Sequence, residues 1–197
     1  YKKHMHLYKT VARVHRNPNL RGIFLIAMML YLFYSWMVIY TPIHLLEIGF
    51  TWEQIGVIFT VMLVPFVLIE YPAGWLADKY LGETEMLTLG FGIMGSAVTL
   101  LLFTSSFWGV MLVLFLSRIG ASLVEIMRDV YFYKKVDEDD LDLIDLFRNM
   151  RSVAYVFGPI LASVLLAFNF GMYGVFIVLS LLMFAAMFVP ITIKDTK

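Results

Sequence analysis

Six long apolar runs, separated by short polar connections, form the pattern of hydrophobic and polar positions along this chain. A membrane-spanning helix needs about 20 mostly apolar residues, and every run is long enough. The runs are apolar on all sides, so their periodicity does not separate a protein-facing side from a lipid-facing side. Strands of a membrane barrel would be about ten residues long and alternating. The pattern predicts an all-α membrane protein with six transmembrane helices, at about 21–47, 54–77, 86–104, 107–133, 146–168 and 171–193.

Composition agrees with a chain that is surrounded by lipid. Hydrophobic residues make up 61% of the 197 residues and charged residues 15%, whereas about a quarter of the residues in a soluble domain are charged. Mean hydropathy is +0.82. Since the runs fill nearly the whole length, no separate soluble domain is expected. The predicted organisation is a basic cytoplasmic linker at 1–20, a six-helix transmembrane bundle at 21–193 and a cytoplasmic tail at 194–197.

Basic residues lie almost entirely on one side of the predicted helices. The connections Glu47–Gln54, Thr104–Phe107 and Asn169–Met172 contain no Lys or Arg, and only Arg118 lies deep within a run. Cytoplasmic loops of membrane proteins carry the excess of Lys and Arg. Both termini are therefore predicted to lie in the cytoplasm, with the chain in the plasma (inner) membrane. The first residue is Tyr1, which indicates a fragment or a processed chain.

Neither a metal site nor a cofactor is expected. The chain contains no cysteine, so thiolate sites are excluded. His4 and His6 could form a metal clip, but a basic segment lying on anionic lipid is the favoured interpretation. The acidic run at 137–140 lacks the glycine and the late glutamate of an EF-hand loop. It is interpreted as a solvated turn whose carboxylates stabilise the N-terminus of the fifth helix.

The most informative motif, Gly-Trp-Leu-Ala-Asp-Lys at 74–79, follows the second run. It resembles the major facilitator superfamily signature Gly-x-Leu-Ala-Asp-Arg/Lys-x-Gly between the second and third helices of a half. Gly74, Asp78 and Lys79 match in place, whereas Gly82 is one residue late and Glu83-Thr84 replaces the basic pair. The resemblance implies that Gly74, Asp78, Lys79 and Gly82 gate the cytoplasmic side, with Arg128, Arg148 or Arg151 as the partner of Asp78.

The same resemblance extends to the fifth run, where Gly158-Pro159 is similar to a Gly-Pro motif of antiporter members and implies a helix bend. Six helices correspond to one half of the major facilitator fold, built as a 3+3 inverted repeat. The lead-in at 17–21 and the short tail resemble a C-terminal half. The strict Gly-Pro motif belongs to N-terminal halves of exporters, and between these indications we favour the C-terminal half.

Three ionisable side chains within the runs are candidates for a role in transport, namely Glu70, Arg118 and Glu125. Such groups cost about 2.5–3.5 kcal/mol on insertion scales, so they usually face protein or a wet cavity. Arg118 and Glu125 are seven residues apart on one helix face, with Ser122 between them. In the functional interpretation Glu125 or Glu70 exchanges a proton while Arg118 holds an anionic group or sets the pKa of the carboxylate. In the structural interpretation these charges pair with one another or with Arg128, Asp129 and Asp78.

Tyr31 and Tyr34 share a face of the first helix and could line a cavity for a solute with an apolar or sugar-like face. Packing and contact with lipid are the alternative explanation of the aromatic residues in this helix. Tyr31, Tyr34, Glu70, Arg118, Ser122 and Glu125 are thus the candidate substrate or proton residues.

The resemblance implies a secondary active transporter of a small solute, in which two six-helix halves alternate access to a central site. Proton coupling is expected. Enzymatic activity is not expected, because the sequence has no His-Glu-x-x-His, no Gly-x-Ser-x-Gly and no His pair within the membrane. A non-transporting scaffold or receptor on the same fold is the alternative. The expected partners are a small solute, the bilayer and a second six-helix half in the same chain, with no nucleic acid.

Overall fold

The structure of the protein is a computed structural model that describes residues 2–69, 72, 82–137 and 139–194, with side chains from residue 8 onward. Within these residues the chain is helical, without strands. After α3 the chain is helical again at 64–69. The elements are α1 (Lys2–Arg16), α2 (Pro18–Glu47), α3 (Trp52–Val61), α4 (Glu83–Leu101), α5 (Phe107–Lys135), α6 (Leu141–Ala167), α7 (Gly171–Ala186) and a 3₁₀ turn (Pro190–Thr192).

The predicted six-helix architecture is confirmed. Six helical segments in the described part of the chain are long and apolar enough to cross a membrane. They lie close to the predicted runs, at Pro18–Glu47, Trp52–Ile69, Glu83–Leu101, Phe107–Lys135, Leu141–Ala167 and Gly171–Thr192. The segment expected to be a basic linker is folded as the amphipathic helix α1, which precedes the first span.

Polar residues at the helix ends explain where the spans begin. The Asn17 side chain caps α2 by accepting hydrogen bonds from the backbone N–H groups of Asn19 and Leu20, at 3.0 and 3.4 Å. Thr51 and Gln54 form a capping box at the start of α3. These side chains satisfy N–H groups that have no partner within the helix. The tight connection after α2 contains Gly49 at φ +98°, a conformation that favours glycine.

Small residues allow α4 to pack closely on two neighbours. A Cβ built on Gly120 of α5 would lie 2.6 Å from the carbonyl oxygen of Gly90 in α4, so the two backbones cross in direct contact. On the other side of α4, the hydroxyls of Thr99 and of Ser180 in α7 share a hydrogen bond at 2.6 Å, and both lie within hydrogen-bond distance of the Gly95 carbonyl oxygen, at 2.9 and 3.2 Å. The third, fourth and sixth spans therefore form a closely packed group.

The remaining contacts follow the pattern of a 3+3 repeat. α2 packs against α5, which pairs the first span with the fourth, and α4 packs against α7, which pairs the third with the sixth. α2 also packs extensively against α6. Each repeat has three spans, so the second copy has the opposite orientation in the membrane, as an inverted repeat requires.

Polar contacts gather at one end of the bundle, which we call the basic end and define by Asn19, Glu83, Lys134, Asp140 and Lys194. Lys134 at the end of α5 donates to the buried Glu83 at the start of α4, at 2.5 Å. The Asn19 side chain accepts from the backbone N–H of Lys194 at 3.0 Å. Arg13 of α1 pairs with Asp140 before α6. The ends of five spans and α1 are thus joined on one side.

Candidate functional site

A cleft of about 240 Å³ lies where α2, α5 and α6 meet the segment after α3, and it brings several predicted site residues together. Tyr31 and Tyr34 come from α2, and Arg118 and Glu125 come from α5. The remaining lining residues are mostly apolar or aromatic. The complete lining is Tyr31, Tyr34, Val38, Met62, Leu63, Phe66, Arg118, Glu125, Arg151 and Tyr155.

Arg118 is the most deeply placed charge of this cleft. It lies eleven residues into α5, about 16 Å from the start of the helix at 1.5 Å per residue, and only 3% of its surface is exposed. Its guanidinium lies 5.5 Å from the ring centroid of Phe33 and 5.6 Å from that of Tyr34. One amino group donates to the Met62 sulfur at 3.7 Å, while Nε has no hydrogen-bond partner. Aromatic faces and a weak acceptor therefore surround a buried cation.

Glu125 lies two turns further along α5, on the same face as Arg118. Its Oε2 accepts a hydrogen bond from the Tyr34 hydroxyl at 2.8 Å, and the side chain is half-buried. This bond joins the first and fourth spans through side chains. The structure thus places a carboxylate and a buried guanidinium in one cleft, with a tyrosine in contact with both.

Ser122 lines a neighbouring cleft of about 420 Å³ together with Phe66, Glu125 and Asp129. Its buried hydroxyl oxygen has no hydrogen-bond partner. Glu125 and Phe66 border both clefts. The predicted stripe on α5 therefore divides, with Arg118 facing the first cleft, Ser122 the second and Glu125 both.

Arg128, predicted to belong to the gating group, is buried near the basic end. It donates to one oxygen of Asp129 through Nε at 2.9 Å and through an amino group at 2.7 Å. Its guanidinium also lies over the rings of Tyr31 and Phe147, at 4.8 and 5.3 Å. The other amino nitrogen is buried without a hydrogen-bond partner. Arg128 thus connects α5 to aromatic residues of α2 and α6.

The Gly158-Pro159 pair is a contact point between α6 and α2. The Trp36 indole donates to the carbonyl of Gly158 at 2.8 Å, and the Tyr40 hydroxyl donates to the carbonyl of Pro159 at 3.2 Å. A Cβ on Gly158 would lie 2.8 Å from the Ser35 hydroxyl oxygen. α6 continues through the pair without interruption, and the bend stays a prediction.

Glu70, Gly74, Asp78 and Lys79 lie outside the described residues. Gly82 is described, and it is the buried residue that precedes α4, with an extended backbone. Within the described part of the chain, no group of three His, Asp or Glu side chains is close enough to hold a metal ion.

Arg151 and Tyr155 of α6 line the cleft and were not among the predicted site residues. They are four residues apart, so they share a helix face, and the Arg151 guanidinium lies 5.8 Å from the ring centroid of Tyr155. In the sequence, Arg151, Tyr155 and Gly158 follow one another at intervals of four and three residues, which places all three on one face of α6. This spacing was the signal that could have identified Arg151 and Tyr155. Arg151 was considered only as a partner for Asp78.

Comparisons with known proteins identify the family. The family model of the Major Facilitator Superfamily matches residues 22–196. The crystal structure of the POT family transporter PepTSo, determined in meso, is similar with a TM-score of 0.71 and 20% identity. The similarity covers 89% of this chain and 38% of the PepTSo chain, so this chain spans well under half of that transporter's length. No curated protein matches. Because the family model covers nearly the whole six-helix bundle, the chain belongs to the Major Facilitator Superfamily.

Proposed function

We propose that this chain is one half of a secondary active transporter that moves a small solute by alternating access, with proton coupling. The observation that carries the proposal is the cleft between α2, α5 and α6, where Arg118 and Glu125 face a cavity inside an otherwise apolar bundle. Ionisable groups at such depth are costly and usually face protein or a wet cavity, and both of these groups border the cleft.

In this proposal Glu125 exchanges the coupling proton and Arg118 binds the solute. The Tyr34 hydroxyl, at 2.8 Å from Glu125 and with its ring 5.6 Å from the Arg118 guanidinium, links the two sites. Protonation of Glu125 removes a negative charge beside the bound solute, so proton binding and solute binding affect each other. Reciprocal coupling of this kind is what a coupled carrier requires.

A second six-helix half closes the cleft in this proposal, and we favour the C-terminal position for the half described here. α6 and the span Trp52–Ile69 are the least buried of the six spans, at 17% and 22% of their most apolar windows, and the cleft lies between them. Placing the basic end in the cytoplasm follows the excess of Lys and Arg there, and both termini then lie in the cytoplasm of a plasma-membrane protein.

The test uses the full transporter chain that contains these residues, reconstituted in liposomes with a pH-sensitive dye inside. A panel of amino acids, carboxylates, sugars and organic amines is added outside, and solute-dependent proton movement is recorded. At least one solute class should drive proton entry. Glu125→Gln should abolish proton movement and leave solute binding in place, because the neutral side chain mimics the protonated state.

Glu53→Gln is the matched control, since Glu53 is an exposed carboxylate at the start of α3 and should leave proton movement unchanged. Solute uptake whose rate does not change with an imposed pH gradient would show that the proposed proton coupling is wrong. Absence of uptake for every solute class, in protein that binds one of them, would favour the receptor alternative.

A further inference from the structure

We infer that the solute is an organic monoanion, whose carboxylate is bound by Arg118 and whose compact apolar body lies against Met62, Leu63 and Phe66. This inference rests on the proposed function and specifies its substrate class. It is carried by the buried guanidinium of Arg118, which faces the cleft with unused hydrogen-bonding capacity.

The first step concerns the charge of Arg118. Among the described residues, its guanidinium forms no salt bridge with a carboxylate. A buried charge is costly unless it is paired and hydrogen-bonded. Phe33, Tyr34 and the Met62 sulfur give partial compensation only. A ligand carboxylate supplies both the opposite charge and the two parallel acceptors that fit a guanidinium fork.

The second step concerns the sign and size of the ligand charge. Among the described residues, three charged side chains line the cleft, two arginines and one glutamate, which gives this part of the lining a formal charge of +1. Arg151 is exposed, with its guanidinium over the Tyr155 ring, and it can attract an anion at the entrance. Glu125 repels a second negative charge. The cleft therefore favours a monoanion over a dianion.

The third step concerns the body of the ligand. Val38, Met62, Leu63 and Phe66 give the cleft an apolar wall. Its volume of about 240 Å³ equals that of roughly eight water molecules at about 30 Å³ each. A ligand of roughly ten non-hydrogen atoms fits this space, and apolar walls with a few placed polar groups are typical of small-molecule sites.

The experiment measures binding to the purified full transporter in nanodiscs by calorimetry. The probes are matched acids and amides, namely benzoate and benzamide, phenylacetate and phenylacetamide, and hexanoate and hexanamide, with phthalate as the dianion. At least one acid should bind about tenfold tighter than its amide and than phthalate. Arg118→Gln should weaken binding of that acid about 10–100-fold, as expected for loss of a charge-assisted hydrogen bond, with little change for the amide.

Arg21→Gln is the matched control, because Arg21 is an exposed arginine at the start of the same bundle, and it should change nothing. Arg151→Gln should weaken acid binding about two- to fivefold, as for an exposed ion pair. If Arg118→Gln does not fold, two other variants test whether Arg118 binds the carboxylate. They are Arg151→Gln and Arg118→Lys, which retains the positive charge but lacks the paired N–H donors of a guanidinium.

Equal binding of every acid and its amide would overturn the inference. So would an acid preference that is undiminished in folded Arg118→Gln, or undiminished in both Arg151→Gln and Arg118→Lys. Acid binding without flux of any acid would overturn the transport function and leave the monoanion site standing. Flux of neutral or cationic solutes that no acid inhibits would overturn the monoanion site and leave the transport function standing.

Discussion

The substitution Gly120→Ala tests the close crossing of α4 and α5. The added Cβ would lie 2.6 Å from the Gly90 carbonyl oxygen and 3.0 Å from both the Ile93 Cβ and the Met94 Cγ. Contacts of a real Cβ stay beyond 3.0 Å, so the two helix backbones must separate. The nearest atom belongs to the backbone, and a side-chain rotation cannot relieve the contact.

The expected cost follows from two opposing effects. Overpacking in a close-packed interior costs about 1–3 kcal/mol. Replacing a mid-helix glycine by alanine returns about 0.5–1 kcal/mol through backbone entropy. Because the nearest atom is a backbone oxygen that cannot move aside, the overpacking cost lies at about 2–3 kcal/mol, and after a return of about 1 kcal/mol the net loss for Gly120→Ala is about 1–2 kcal/mol. For a chain of this size, each kcal/mol corresponds to roughly 2–4 °C in the unfolding midpoint.

The assay is thermal unfolding of the purified variants in one detergent, followed by intrinsic tryptophan fluorescence. Gly56→Ala is the matched control, since Gly56 lies within α3 and a Cβ there would meet nothing within 4 Å. Gly120→Ala should lower the midpoint by roughly 2–8 °C, and Gly56→Ala should leave it unchanged or raise it. A wild-type midpoint for Gly120→Ala, or an equal loss for Gly56→Ala, would refute the interpretation of the crossing.

Four further substitutions test contacts of α2. Trp36→Phe removes the indole hydrogen bond to Gly158 and should cost about 1–3 kcal/mol in the same thermal assay; an unchanged midpoint would argue against that bond. Gly158→Ala should cost about 1–3 kcal/mol by overpacking, whereas Ser35→Ala, which removes a buried hydroxyl without a partner, should be neutral or stabilising. In the double variant the loss should be smaller than the sum, because Ser35 is the nearest neighbour of the added Cβ. Tyr34→Phe removes the donor to Glu125 and should slow coupled uptake about tenfold at an unchanged midpoint, which Tyr173→Phe at the opposite end should not do.

The spans were predictable from the sequence because span length is a property of the bilayer. Apolar runs of about 20 residues have one stable arrangement in lipid, in which each backbone hydrogen bond is made within the helix. The predicted runs match the observed spans to within a few residues at the described ends. The helix α1 was expected only as a linker, because it is not apolar enough to span; its amphipathic periodicity was the available signal.

The meeting of Tyr34, Arg118 and Glu125 could be anticipated only in part. A spacing of seven residues placed Arg118 and Glu125 on one face of α5, and a spacing of three placed Tyr31 and Tyr34 on one face of α2. It gave no indication that these two faces oppose each other, because a pattern that is apolar all round does not define helix rotation. Rotation is set by contacts between helices, such as the Gly158 contact with Ser35.

Glycine positions illustrate the same limit. Gly92 and Ser96 have the small-xxx-small spacing that is typical of a helix-packing face, but among the described residues a Cβ on Gly92 would meet only the Met187 sulfur, at 3.5 Å. The close crossing lies instead at Gly90 and Gly120. The sequence alone does not distinguish a glycine at a close helix crossing from one in open space, because the difference depends on the partner helix.

The packed side and the polar side of α5 are two faces of one helix. Arg118 and Gly120 are two residues apart, which is about 200° of rotation, so Gly120 contacts α4 while Arg118 faces α2 and the cleft. Any movement of α5 away from α4 therefore also displaces the Arg118 guanidinium, which lies 5.5 and 5.6 Å from the ring centroids of Phe33 and Tyr34. A close backbone crossing behind a buried, incompletely compensated charge restricts how far that charge can move. The crossing at Gly120 therefore helps to fix the position of Arg118 beside the cleft.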